Sequence, residues 1–207
     1  SPTPFLPPQE NVLAYTDASH AAGIVAGKDA VYVLYRKVGD MGIYKINYQT
    51  RQVSVLKPTR KASLASLCLK GDNDLVFASF SPVHSTRFMT YSHSSNAISP
   101  LPFSKLSLDL SDQQKTEVIE IRSRDGRKIP VTLVYRKELV LKNRNPLLIE
   151  TYGNSGAVQD VWLDPNRLPW LDRGGIYAYA HVRGGGELGL DWIKEGQFPN
   201  KINSIND

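Results

Sequence analysis

The sequence predicts a mixed fold, with all-β, propeller-type blades first and then the opening β-β-β-α-β part of an α/β domain. Three observations carry this. From Asn11 to about Leu108 the chain is a series of short runs rich in β-branched and aromatic residues, separated by turn formers and almost without helical period. The runs fall into two stretches, roughly residues 22–61 and 62–103, each with about four runs, the spacing of a four-stranded propeller blade. After "LSDQQK" longer apolar runs appear, interrupted by a helical segment. The expected division is residues 1–110 and residues 111–207.

Taken in order, the β-type runs of the first part are "AVYVLYRK", "GIYKINY", "RQVSVLK", "LASLCLK", "DLVFASF" and "RFMTYSH". Two blades cannot close a ring, so their edges are expected to be open. In the second part "TEVIEIRS" and "KIPVTLVYRK" flank "RDGR", where Asp125-Gly126 is a strong hairpin signal. "NPLLIETYG" and "GGIYAYAHV" read as more fully buried strands, with a helix in "LDPNRLPWLDRGG" between them that Gly174 and Gly175 stop. A further helix is expected from about Glu187 to Gly196, cut off before Pro199. This is an antiparallel pair at the edge of a sheet whose parallel part has only one complete crossover, so the last third is expected to fold poorly by itself.

Composition narrows the function classes. With 41% hydrophobic and 22% charged residues the chain has the make-up of a globular protein. Its net charge of +5 comes from 25 Lys and Arg scattered among 20 Asp and Glu, so no cationic face is expected and nucleic acid is not an expected partner. Cys68 is the only cysteine, which rules out an internal disulfide; inside "SLASLCL" it is expected to be buried and inert, and a cytoplasmic location is preferred. No apolar run approaches the ~18 residues of a membrane span, and "SPTPFLPPQE" lacks the layout of a signal peptide. The proline-rich opening at Ser1 suggests a processed start.

Several motifs invite chemistry. "HVRGGGELG" holds Gly184, Gly186 and Gly189 in the G-x-G-x-x-G spacing of dinucleotide sites, directly after a strand-like run. At least three strands precede it, and Glu187 would place a carboxylate where the pyrophosphate belongs. The glycines are therefore expected to shape a tight turn, with Arg183 and Glu187 tying the loop to its surroundings. "TYGNSGA" comes close to the nucleophile elbow G-x-S-x-G through Gly153, Ser155 and Gly156, but Ala157 occupies the fifth position. His181 follows Ser155 too soon for that fold, and is expected to be a hydrogen-bonded structural histidine. His20, His84 and His93 have no ligand spacing, so no metal is expected; Asp72 with Asp74 and Asp109 with Asp112 read as loop acids.

Taken together, "LPPQENVL", "SRDGRKIPVTLVYRKEL", "NPLLIETYG", "LDRGGIYAYAHVRGGGELGLDW" and "KEGQFPNKINSIND" resemble the prolyl oligopeptidase family of serine peptidases, and more specifically its oligopeptidase B branch. The resemblance is strongest after Thr116. It implies a seven-bladed propeller, which restricts entry to small peptides, joined to an α/β-hydrolase domain with a Ser-His-Asp triad. Residues 1–110 would be the last blades and residues 111–207 the first part of the hydrolase domain, with the triad beyond Asp207.

The resemblance also assigns one site residue. Tyr152 in "ETYG" stands where the family's tyrosine offers its hydroxyl to the oxyanion of the tetrahedral intermediate. The family pattern continues with Gly or Ser and then an aromatic, where this chain has Asn154 and Ser155. The implied partners are short peptide substrates and the remainder of the propeller and hydrolase domain; no cofactor is implied. The rival reading is a non-catalytic, propeller-type interaction module or pseudoenzyme.

Overall fold

The computed structural model describes residues 12–13, 23–142 and 144–207. The "LPPQENVL" motif and His20 lie almost wholly outside these residues. What is described is mostly β-sheet, in three open sheets that do not close into a barrel.

The first sheet contains β1 (Val12–Leu13), β2 (Ile24–Ala26), β3 (Ala30–Lys37), β4 (Asp40–Asn47) and β5 (Val53–Leu56). β3, β4 and β5 form an antiparallel meander, and β1 and β2 both pair with β3. The second sheet is an antiparallel meander of β6 (Ser63–Lys70), β7 (Asp74–Ser81), β8 (His84–Ser92) and β9 (Ala97–Pro100). Every β-type run expected in this part forms a strand, because each is a short apolar-rich run bounded by turn-forming residues. The two sheets share a core in which Tyr32, Leu34 and Ile43 of the first meet Leu64, Leu67, Leu75, Phe77 and Tyr91 of the second.

Cys68 departs from expectation, since it is exposed. Pairing of β6 with β7 slips between Ala65 and Cys68, and Ser66 there takes a φ of 55°. Strict alternation from Leu64 would point position 68 inward. The extra residue of the bulge moves the inward face to Leu67, 2% exposed, and turns the thiol out.

The third sheet has the order β10 (Gln114–Arg122), β11 (Lys128–Arg136), β13 (Ile176–Ala180), β12 (Leu147–Thr151). The β10–β11 hairpin and the β11–β13 pair are antiparallel, and β12 and β13 run parallel. In the hairpin turn Gly126 has a φ of 86°, and Asp125 accepts the Arg127 N–H. The crossover from β12 to β13 passes through a 3-10 turn (Pro165–Arg167), capped by Asp164, and the helix α1 (Leu168–Asp172). One face of the sheet buries Ile129, Val131, Ala178 and Ala180 against Trp192 of α2 (Leu190–Glu195); the other buries Val134, Tyr177 and Tyr179 against Val161 and Leu171 of α1. A last helix, α3, spans Ile202–Asn206.

Two expectations are corrected here. Among the described residues β12 is exposed along its whole length rather than buried, because it stands at the edge of the described sheet and the helices there pack over β11 and β13. The helix expected from Glu187 begins at Leu190, because Gly189 turns the chain at a φ of 89° and Glu187 is folded inward.

Candidate functional site

The parallel strands β12 and β13 end side by side, with Tyr152 just after one and His181 just after the other. The carboxyl ends of parallel strands are where α/β sheets form their binding crevices. Two loops leave this edge, residues 153–161 and residues 182–189, and they pack backbone to backbone. A Cβ on Gly184 would stand 2.3 Å from the Gly153 carbonyl oxygen, and one on Gly186 would stand 2.3 Å from that of Gly156. Gly156 N donates to Gly184 O at 2.9 Å, and Gly186 N donates to Ala157 O at 3.1 Å. The absent side chains thus admit a neighbouring loop of the same protein, which fills the space a pyrophosphate would need.

The charged residues of "RGGGE" anchor this pairing, as expected. Arg183, 4% exposed, donates through Nε to both carboxylate oxygens of Asp207 (3.1 and 2.9 Å) and through Nη1 to Asp125 at 2.7 Å. The Asp207 hydrogen bond holds the Arg183 guanidinium above its ordinary pKa. Burial alone would raise the Asp207 carboxyl, but the Arg183 guanidinium and N–H outweigh it and hold it below the usual carboxylate range. Glu187 accepts the Gln159 N–H at 3.2 Å and stands 3.6 Å from His181 Nδ1.

His181 is buried, with its Nε2 2.8 Å from Thr132 Oγ1 on β11. Its neighbours are therefore Thr132 and Glu187. Ser155 is exposed on the other loop, with a φ of 55°, and has no contact with His181. The structure does not bring the near-miss elbow and the histidine together.

Tyr152 is 53% exposed, and its hydroxyl has no partner among the described residues. Its neighbour Gly153 is held more firmly, since Lys201 Nζ donates to the Gly153 carbonyl at 2.5 Å. That contact spans 48 residues, and no local spacing in the sequence announces it.

The junction between the first two sheets and the third forms a partly open cavity of about 310 Å³. Arg36, Lys61, Thr132, Asp160, His181 and Glu187 are among its walls. Arg36 pairs with Asp160 across 124 residues, and Ser63 Oγ donates to the same carboxylate at 3.3 Å. Arg36, Ser63 and Asp160 went unremarked in the sequence, because only the packing of distant elements unites them.

The other singled-out groups have partners of their own. Asp109 accepts from Ser111 N at 3.0 Å and from Arg60 at 2.8 Å; the Ser111 hydroxyl and N–H, and then Arg60, hold its carboxyl down to about 2. Asp74 accepts the His93 N–H, Asp72 faces Lys28 on the surface, and His84 Nδ1 lies 3.0 Å from the Ser85 carbonyl. Among the described residues no group of three or more His, Cys, Asp or Glu could hold a metal, and no helix is long and apolar enough to cross a membrane.

Residues 162–207, which include β13, the glycine loop, α2 and α3, match the model of the prolyl oligopeptidase family. A dipeptidyl aminopeptidase BI of Pseudoxanthomonas mexicana is 45% identical over 93 residues, 44% of this chain and 13% of that protein. A prolyl endopeptidase-like protein of Xenopus laevis is 34% identical over 137 residues, 66% of this chain and 19% of that protein. The chain thus spans less than a fifth of the length of either relative. Among solved structures, a prolyl oligopeptidase B from Galerina marginata superposes with a TM-score of 0.83 at 22% identity, over 98% of this chain and 28% of that one, a likeness of fold.

Proposed function

Given this resemblance to the prolyl oligopeptidase family, we propose that the chain is part of a serine peptidase that in its complete form hydrolyses short peptides through an acyl-enzyme. In this reading residues 1–110 are the C-terminal blades of a β-propeller. Residues 111–207 are the N-terminal part of an α/β-hydrolase domain, and the Ser-His-Asp triad comes from outside the 207 residues. One observation carries the proposal: the family match coincides with the glycine loop that packs on the segment following Tyr152.

Tyr152 is the oxyanion donor in this reading. It follows a parallel strand at the crevice edge, it is half exposed, and no described residue engages its hydroxyl. A donor aimed at the developing negative charge lowers the barrier by ~3 kcal/mol. The peptidase relatives do not favour the rival reading of a non-catalytic interaction module.

The test compares the full-length protein with its Tyr152→Phe variant on short peptide substrates. Removing the hydroxyl is expected to lower kcat by about 10²-fold with little change in stability. An unchanged kcat returns Tyr152 to a structural role. In parallel, a fluorophosphonate probe is expected to label the full-length protein and to leave the 207-residue chain unlabelled. Stoichiometric labelling of Ser155 in the 207-residue chain would overturn the assignment of the nucleophile.

A further inference from the structure

We propose that Lys201 is a positioning residue for Tyr152, acting through the carbonyl of Gly153. The inference rests on the reading of Tyr152 as oxyanion donor and names the group that holds it in place.

An oxyanion donor works only if it is aimed before the charge develops. Among the described residues no hydrogen bond to the Tyr152 hydroxyl supplies that aim, and the side chain is half exposed. The backbone on either side of it is held instead. On the strand side, Thr151 Oγ1 donates to Ala180 O at 2.7 Å. On the loop side, the Gly153 carbonyl lies between Gly184, which approaches closely because it has no Cβ, and the Lys201 ammonium at 2.5 Å. Farther along, Gly156, Ala157 and Gln159 are held by Gly184, Gly186 and Glu187, so the clamp at Gly153 is the one next to the tyrosine.

Lys201 is committed to this task. Its other contact is Ser204 Oγ at 3.4 Å, and no carboxylate among the described residues pairs with it. Ser204 Oγ in turn reaches Arg183 O at 2.5 Å and Gly196 O at 3.2 Å, which fixes the start of α3 against the same loop. A charged donor on a neutral carbonyl makes a shorter and stronger bond than a neutral one.

The experiment is a double-mutant cycle in the full-length enzyme, with kcat and KM measured separately for Lys201→Met, Tyr152→Phe and the pair. Lys201→Met is expected to lower kcat about 10-fold with KM within about twofold, and Lys201→Arg to recover most of the loss. In the Tyr152→Phe background Lys201→Met is expected to lower kcat less than about twofold, because a misaimed hydroxyl that is no longer present costs nothing. Equal losses in both backgrounds, or no loss from Lys201→Met, would overturn the inference and leave the Tyr152 reading standing. If Tyr152→Phe is itself without effect, the Tyr152 reading fails and this inference with it. Should Lys201→Met not fold, Lys201→Gln is taken through the same cycle with the same expectation.

Discussion

The carbonyl oxygen of Gly153 lies 2.3 Å from the point where a Cβ on Gly184 would stand, so these two loops approach as they do because position 184 has no side chain. Gly184 also holds a φ of 95°. Gly184→Ala therefore adds a backbone collision to left-handed strain and is expected to cost about 3 kcal/mol in urea unfolding. Gly126→Ala is the control, with a φ of 86° and open space around it, and is expected to cost about 1 kcal/mol. Equal costs at the two positions would mean that the loop contact does not limit stability.

The bulge in β6 makes opposite predictions for adjacent residues. Cys68 is exposed, so a maleimide is expected to label it in the folded protein at a rate near that of a free thiol. Leu67 is 2% exposed in the shared core, and Leu67→Ala is expected to cost about 3 kcal/mol. Slow labelling that requires unfolding would place the thiol inside and remove the bulge.

Acid is expected to weaken the fold through Asp109 and Asp207. Both carboxyls are held below their ordinary value of about 3.9, so the folded chain favours their ionised forms. The stability they contribute is present above about pH 4 and is lost as pH falls, for Asp109 through about 2. In circular-dichroism titrations Asp109→Asn is expected to flatten the pH dependence between about pH 5 and pH 2. A variant with the wild-type slope would show that the bonds from Ser111 and Arg60 are absent in solution.

Limited proteolysis is expected to cut first between Phe103 and Thr116. Phe103 is 77% exposed, and from there to β10 the chain forms no strand or helix, with an isolated bridge between Asp109 and His84 and a few hydrogen bonds to residues 83–88. Trypsin at Lys105 is the sharpest probe, since that side chain is exposed. A first stable cut inside "KIPVTLVYRK" or "NPLLIETYG" would overturn the proposed division at about residue 110.

Much of this protein is written in short-range pattern. The six β-type runs, the hairpin at Asp125-Gly126 and the crossover helix before Gly174 were legible because alternation, turn chemistry and glycine stops act over a few residues. The same short-range chemistry argued against a phosphate cradle at the glycine loop, since Glu187 would place a carboxylate where an anion binds. The resemblance to a peptidase family was legible for a related reason, because its motifs are contiguous.

What escaped the sequence depends on which distant elements meet. The apolar run "SLASLCL" predicts a buried Cys68, and a single extra residue in the pairing with β7 turns it outward. The apolar "LLIE" predicts burial, but among the described residues β12 stands at the sheet edge and is exposed. Arg36 with Asp160, Thr132 with His181, and Lys201 with Gly153 are 124, 49 and 48 residues apart. Composition and periodicity set what each segment can form by itself. Only packing decides which carbonyl a lysine reaches or which face a strand buries, because those energies arise between segments and have no value until the chain brings them together.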